Sequence, residues 1–440
     1  MPIPNSTLMT SDATSNPYWW DAAPPVARPP EAIPRKADVV IVGGGYTGLR
    51  AALTLSRAGR QVVVLEREDL GSGASRRNAG FLGRVLKKKF TSLIAKRGIE
   101  HAIHVYRELD AAYQTTMDFI AHESISCYAA RPGRFIGATS AAHYDDLAVE
   151  MEQMKQHLGL PYYMVSRADQ RKELATDVYF GGAVIPDLGC VHPGLYHRGL
   201  QERALDAGTQ IRARTHVVAI KRSRGPTRFT VKTDAGDIDA KDVLVATNGY
   251  TTQNLSWFAR RVIPFKGYMA ATEELPPELL KKMIPNGRVV IDTNTDIDFF
   301  RIAPDSRRMI LGGATASGME QTDEIAERLH TIMSHVLPDL TGKRFTHIWS
   351  GYCAGTFDMM PHVGGNDGLW YAMGYNFAGV TMGTYMGNKV AMQMLGDLDS
   401  ESIFARAPFP TVPLYTGNPW FMPLAMRYFH WSDARIAARR

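Results

Sequence analysis

Cysteine, sustained apolar runs and a decisive excess of one charge are all scarce in this chain. Three cysteines stand among 440 residues, Cys127, Cys190 and Cys353, odd in number and widely spaced. No CxxC or Cys/His spacing links them, so neither a disulfide framework nor a zinc or other metal site is expected. That usage fits a reducing compartment, hence a cytoplasmic location. Residues 1–34 are polar and proline-rich and lack the apolar stretch of a secretory signal. They suggest an irregular N-terminal arm over 1–36. The longest weakly charged stretch, 369–386, is interrupted by glycines, Asn376 and threonines. A membrane span needs about 20 predominantly apolar residues, so no membrane partner is expected.

Lysine and arginine number 50 against 44 acids, a net charge of +6. The basic residues are scattered apart from Lys87-Lys88-Lys89, expected to form a solvated helix face, and the terminal Arg439-Arg440. No basic stripe interleaved with aromatics is present, which argues against a nucleic-acid partner. With 45% hydrophobic and 21% charged residues the chain is globular, and its length suits two or three domains.

What is present begins at residue 37. Residues 37–42 (ADVVIV) form a β-branched run suited to a buried parallel strand. Gly43-Gly44-Gly45-Tyr46-Thr47-Gly48 follows, matching GxGxxG at Gly43, Gly45 and Gly48. An Ala/Leu-rich helix over 49–58 and a second strand over 61–66 complete a βαβ unit that ends on Glu66. Gly43 permits the tight turn, Gly45 admits a pyrophosphate to the backbone, and Gly48 lets helix and strand pack closely. The helix N-terminus adds free N–H groups and a positive dipole. Glu66, 18 residues past Gly48, suits ribose hydroxyls and disfavours a 2′-phosphate. A dinucleotide is expected here, because the strand, helix, second strand and acid that the motif requires are all in place.

The fingerprint alone leaves FAD and NAD open. Residues 70–81 (LGSGASRRNAGF) form a loop of small side chains in which Arg77 and Asn78 are able to address phosphates or ring heteroatoms. On composition this is equally an ordinary glycine/serine surface loop.

Taken together, GGGYTGLRAALTLSRAGRQVVVLE and GSGASRRNAGF resemble the D-amino-acid-oxidase-like superfamily of FAD-dependent oxidoreductases, nearest its γ-glutamylputrescine oxidase branch. Tyr18-Trp19-Trp20 is similar to that branch as well. Later segments extend the resemblance: 181–193, 242–249 (DVLVATNG), Trp349-Ser350-Gly351 with Thr356, Asp358, Pro361 and Gly364, and 371–375. Two departures stand out. Arg76 replaces a common glycine, adding bulk and charge near the cofactor. Asn376-Phe377-Ala378-Gly379 stands where many relatives have serine, glycine, histidine, glycine.

The resemblance implies an α/β Rossmann-like FAD-binding domain over 37–95, 180–255 and 347–400. It implies a mixed-sheet, α+β substrate domain over 96–179 and 256–346, and leaves a surface tail over 401–440. Cofactor contacts are assigned to Gly43, Gly45, Tyr46, Thr47, Gly48, Glu66 and Arg67, and to Gly73, Ala74, Ser75, Arg77, Asn78, Ala79 and Gly80. Further along they are assigned to Val218, Thr247, Asn248 and Gly249, and then to Gly374, Phe377, Ala378, Gly379 and Val380. FAD is expected to be non-covalent, and the protein a monomer or homodimer.

Only one dinucleotide fingerprint occurs, so an organic substrate is expected to reduce the flavin. The implied reaction is oxidation of a C–N bond in a primary or secondary amine or amino acid to an imine that hydrolyses, with dioxygen or another acceptor reoxidising the flavin. Arg301 is the candidate clamp for an acidic substrate. Tyr268 and Phe377 are further substrate-binding candidates, with Phe377 either narrowing the cavity or only packing its turn. His192, His362 and Lys266 are the acid/base candidates, each weighed against a structural role. The alternatives are an NAD(P)H-dependent flavin monooxygenase and a flavin-binding subunit altered in catalysis.

Overall fold

The computed structural model describes residues 7–27, 31–223, 227–315 and 318–437. The terminal Arg439-Arg440 run lies outside them. Two large sheets organise the chain. In the eight-stranded sheet the order is Val217–Arg222, Phe229–Thr233, Gly236–Val245, Lys36–Val42, Val62–Leu65 and Gln210–Arg212, with the hairpin His362–Asn366/Leu369–Met373 joined to Gly236–Val245. Lys36–Val42 lies parallel between two neighbours, and Val40 and Ile41 are fully buried. Burial on both faces is why this strand reads as a continuous apolar run.

Helix Tyr46–Arg57 crosses over this sheet with Leu49, Ala51, Ala52 and Leu53 buried. Helix Gly379–Leu395 packs on it and on Ile99–His122. The long helix Ile99–His122 therefore belongs to the core of the dinucleotide domain, with Val105, Leu109 and Ala112 buried there, although its sequence position suggested the substrate domain. Its apolar stripe is wide enough to be satisfied by either partner, and only packing chooses.

The nine-stranded sheet is mixed, in the order Met9–Thr14, Phe345–Gly355, Ile263–Thr272, Met309–Gly313, Phe299–Ile302, Val289–Asp292, Arg134–Gly137, Gly182–Ile185 and Tyr163–Val165. One face packs under helix Thr322–Val336 and carries Tyr268, Ala270, Phe300 and Leu311. The opposite face carries Met269, Ala271, Ile310 and Trp349 and meets Tyr18 and Trp19. Expected boundaries at 180 and 347 fall differently, because Gly182–Ile185 and the start of Phe345–Gly355 belong to this second sheet.

Residues 9–14 form an edge strand and Trp19–Ala22 a short helix, in place of the irregular arm expected. Trp19 is fully buried against the nine-stranded sheet and the 70–81 loop, which ties the segment down despite its prolines. The tail also departs from a simple surface wrap: Phe409 and Tyr415 are buried, and helix Met422–Ala437 packs on Ala141–Leu158. Lys87-Lys88-Lys89 is not helical; Lys89 caps helix Phe90–Arg97. Lys87 and Lys88 are half-buried, and burial lowers the Lys88 ammonium below its ordinary value.

Candidate active site

The turn between Lys36–Val42 and Tyr46–Arg57 is built by two close approaches. Gly43 has φ +106°, and a β-carbon on it would meet the Ala246 carbonyl at 2.9 Å. On Gly48 a β-carbon would lie 2.0 Å from the Gly43 carbonyl. Neither position admits a side chain, so the first helical turn lies against the strand end. The first intrahelical bond runs from Leu49 N–H to the Gly45 carbonyl, leaving the amides before it at the positive helix end. The Glu66 carboxylate accepts from Gly44 N–H at 2.9 Å and Glu68 N–H at 3.2 Å. Burial raises its pKa against these amides. Thr215 N–H donates to the Glu66 carbonyl just before strand Val217–Arg222, on which Val218 is exposed. Arg67 points outward to Glu68.

The loop over 70–81 is a built structure. Ser75 Oγ accepts from Tyr46 N–H at 3.0 Å, and the Tyr46 hydroxyl donates to the Ser75 carbonyl at 2.6 Å. Asn78 spends its amide on the loop itself, donating to the Ala74 and Ser75 carbonyls and accepting from Gly80 N–H. Arg77 donates to the Ser72 and Ser350 carbonyls, and its guanidinium stacks over Trp20. Two indoles hold the loop from outside: Trp19 Nε1 donates to the Asn78 carbonyl and Trp349 Nε1 to the Arg77 carbonyl. Arg77 and Asn78 thus shape the loop.

Arg76 was expected to add charge near the cofactor. It turns the other way and is fully buried. It donates to the Ala23 and Pro24 carbonyls, to Gln201 and to His197 Nδ1. Because Nδ1 accepts, the His197 proton sits on Nε2, which donates to the Gly44 carbonyl at 2.8 Å. Burial, reinforced by Arg76, pulls the His197 imidazole down to about 3, so it is neutral. A chain of hydrogen bonds therefore runs from the N-terminal segment to the dinucleotide turn. Sequence reading missed His197, whose only signal is its place in the helix after His192.

At the other end, Asn248 accepts from Gly374 N–H at 2.9 Å, which joins the 247–249 turn to the late turn. A β-carbon on Gly249 would meet the Cys353 carbonyl at 2.5 Å. Asn376 is buried and bonds Thr356 N–H and the Gly374 carbonyl. Phe377 follows at φ +77°, a strained setting for an aromatic residue, and its ring is 45% exposed. It packs against Phe265, with centroids 4.9 Å apart, and under the Lys87 ammonium at 4.7 Å. Ala378 caps helix Gly379–Leu395, whose first turn carries buried Val380 and the positive end of the helix dipole.

Strand alternation separates the remaining candidates. In Ile263–Thr272, Phe265, Gly267 and Met269 face the dinucleotide domain, paired across with Cys353, Gly351 and Trp349. Above Gly267 no protein atom comes nearer a built β-carbon than the Gly351 carbonyl at 4.0 Å. That is a flat, side-chain-free patch. Lys266 and Tyr268 lie on the other face: Lys266 pairs with Glu320 at 2.6 Å, and the Tyr268 hydroxyl donates to the Met319 carbonyl. His362 is fully buried, held by Asp358 at 3.1 Å and stacked on Phe409. His192 caps helix Pro193–Asp206 by accepting Leu195 N–H on Nδ1, and burial, with Arg301 nearby, lowers it to about 4. Arg301 is 4% exposed, donating to the Ala79 and Val191 carbonyls, with no carboxylate paired to it among the described residues. Tyr250, whose hydroxyl accepts from Tyr352 N–H, and Phe265 also line this region. Neither had a motif to mark it.

The cradle that side chains would fill, the acid at the second strand and the flat patch opposite fit a dinucleotide ending in a planar ring system. Residues 38–393 match the family described as FAD dependent oxidoreductase (DAO), and the chain belongs to that family. The protein is an FAD-dependent oxidoreductase. It is 30% identical to a probable oxidoreductase OrdL of Haemophilus influenzae, over 87% of this chain and 89% of that protein. It is 28% identical to the gamma-glutamylputrescine oxidoreductase of Escherichia coli, over 86% and 88%. The crystal structure of glycine oxidase from Geobacillus kaustophilus superposes with a TM-score of 0.70 at 21% identity, covering 86% of this chain and 99% of that one. That likeness shows the fold. Among the described residues no helix is long and apolar enough to cross a membrane, and no group of acids, histidines and cysteines could hold a metal ion.

Proposed function

We propose that the protein oxidises a C–N bond of a primary or secondary amine or amino acid that carries an acidic group, as a γ-glutamylated amine does. A hydride leaves the carbon, the nitrogen loses its proton, and water hydrolyses the imine. Dioxygen takes two electrons and two protons to give hydrogen peroxide. Bound FAD supplies the two-electron acceptor at its ring.

The chain's own residues orient and exclude. Gly43, Gly45 and the first amides of Tyr46–Arg57 would hold the pyrophosphate of bound FAD, and Glu66 its ribose. Phe265 and Phe377 exclude water from the opening and favour the neutral amine. The observation that carries the acidic substrate is Arg301. Its buried guanidinium has backbone carbonyls and the Trp19 ring as partners and no carboxylate among the described residues, and it lies on the face of its strand turned to the dinucleotide domain, where an anionic group would pair with it. Relatedness to the gamma-glutamylputrescine oxidoreductase supports the same reading.

The experiment is anaerobic bleaching of the flavin absorbance across amines, amino acids and N-methylated compounds, repeated in air with a peroxide assay. An acidic amine is expected to bleach it. Bleaching by NADPH with no amine would overturn the proposal in favour of a monooxygenase. Arg301→Ala is expected to lower kcat/KM for the acidic substrate about 10- to 100-fold, and a neutral analogue far less. Equal losses would remove the clamp.

A further inference from the structure

We propose that the C-terminal segment docks on an anionic lipid surface. The segment follows residue 393, where the family match ends, and so lies outside the shared catalytic framework. Helix Met422–Ala437 presents Leu424, Tyr428 and Trp431 at 65%, 60% and 55% exposure. Spacings of four and three residues put them in one stripe. Trp420, 66% exposed, stands just before the helix. Ala425, Met426 and Phe429, on the opposite side, are the half-buried positions, and the helix packs on Ala141–Leu158. The apolar stripe is thus additional to the face that holds the helix to the protein. Such a stripe is more than scattered surface apolarity.

Charge selects the occupant. From residue 420 onward four arginines, Arg427, Arg435, Arg439 and Arg440, stand against one acid, Asp433. Two of them border the stripe: the Arg435 guanidinium lies over the Trp431 ring at 5.2 Å, and exposed Arg427 makes no hydrogen bond or ion pair among the described residues. Tryptophan and tyrosine at headgroup depth, with arginines reaching phosphates, is the composition of a helix lying in the interface plane. A second copy meeting this face would oppose like charges. The proposal does not depend on the substrate.

The flavin-loaded full-length protein would be sedimented with vesicles of phosphatidylcholine alone or with about one-third phosphatidylglycerol. Anionic vesicles are expected to bind at least about tenfold better, with release at about 0.5 M salt, where the screening length is a few ångströms. Leu424→Ser with Trp431→Ser, and separately Arg427→Glu with Arg435→Glu, are expected to abolish binding at unchanged flavin content and melting temperature. Because the salt and lipid dependence of the unmodified protein tests the proposal alone, a poorly folding variant does not blunt it. Absence of binding to anionic vesicles at low salt, or equal binding to both vesicle types, would overturn the proposal. So would a solution dimer that the serine variant converts to monomer, since the stripe would then belong to a second copy.

Discussion

At the residue scale, identity and role separate most clearly at positions 76 and 192. Arg76 adds charge to a loop beside the cofactor, yet its four partners lie behind that loop. Burial lowers its guanidinium to about 10, still charged at neutral pH. Arg76→Lys keeps the charge but cannot serve four acceptors in that geometry. A loss of about 2–3 kcal/mol in stability is expected, with weaker FAD affinity because His197 loses the donor that fixes its tautomer. Thermal melting and FAD titration of the apoprotein check both. His192 has a folded value of about 4 against an ordinary 6.5. Between those values the unfolded chain binds more protons, so stability is full above about pH 6.5 and falls as pH drops toward 4. His192→Asn retains a helix-cap acceptor and is expected to flatten that acid limb. Melting temperatures at pH 7.5 and pH 5 measure the difference.

Two helices at the element scale do work that no single side chain explains. Helix Gly379–Leu395 lies against Tyr46–Arg57 so closely that a β-carbon on Gly387 would come 2.5 Å from the Thr47 carbonyl. Thr47 belongs to the first turn of the cofactor helix, and its hydroxyl bonds Tyr375 at 2.7 Å. Gly387→Val is therefore expected to cost about 1–3 kcal/mol by overpacking and to lower flavin occupancy with it. The ratio of flavin to protein absorbance reads the second effect. Strand alternation is the other elemental lesson. Lys266 and Tyr268 occupy adjacent same-face positions of Ile263–Thr272, and that face turns to helix Thr322–Val336. The alternate residues, Phe265 and Gly267, face the dinucleotide domain instead. The sequence around 264–268 does not alternate cleanly enough to show which face is which.

On the scale of the whole molecule, the N-terminal segment is a strap. Its strand extends the nine-stranded sheet, Trp19 packs on that sheet and bonds the 70–81 loop, and Ala23 and Pro24 hold Arg76. Trp19→Ala is expected to cost about 3–5 kcal/mol and to loosen both sheets together, with cooperative melting shifted down and flavin released earlier. Differential scanning calorimetry with flavin fluorescence would follow the two events. Had the segment been an independent arm, the substitution would leave the melting temperature unchanged.

By itself the sequence determined a dinucleotide cradle, and its resemblance to a known family pointed to FAD. Strand, glycine turn, helix and acid interact over a few residues, so their order in the chain is their arrangement in space. The loop after them was legible as flavin-directed through resemblance, though not what Arg76, Arg77 and Asn78 would bond. Only the tertiary structure decided which face Lys266, Tyr268 and Arg301 occupy, that helix Ile99–His122 joins the dinucleotide core, and that the N-terminal strand closes the second sheet. Those outcomes rest on contacts between segments far apart in the chain, where burial and register choose among alternatives that local pattern leaves equal.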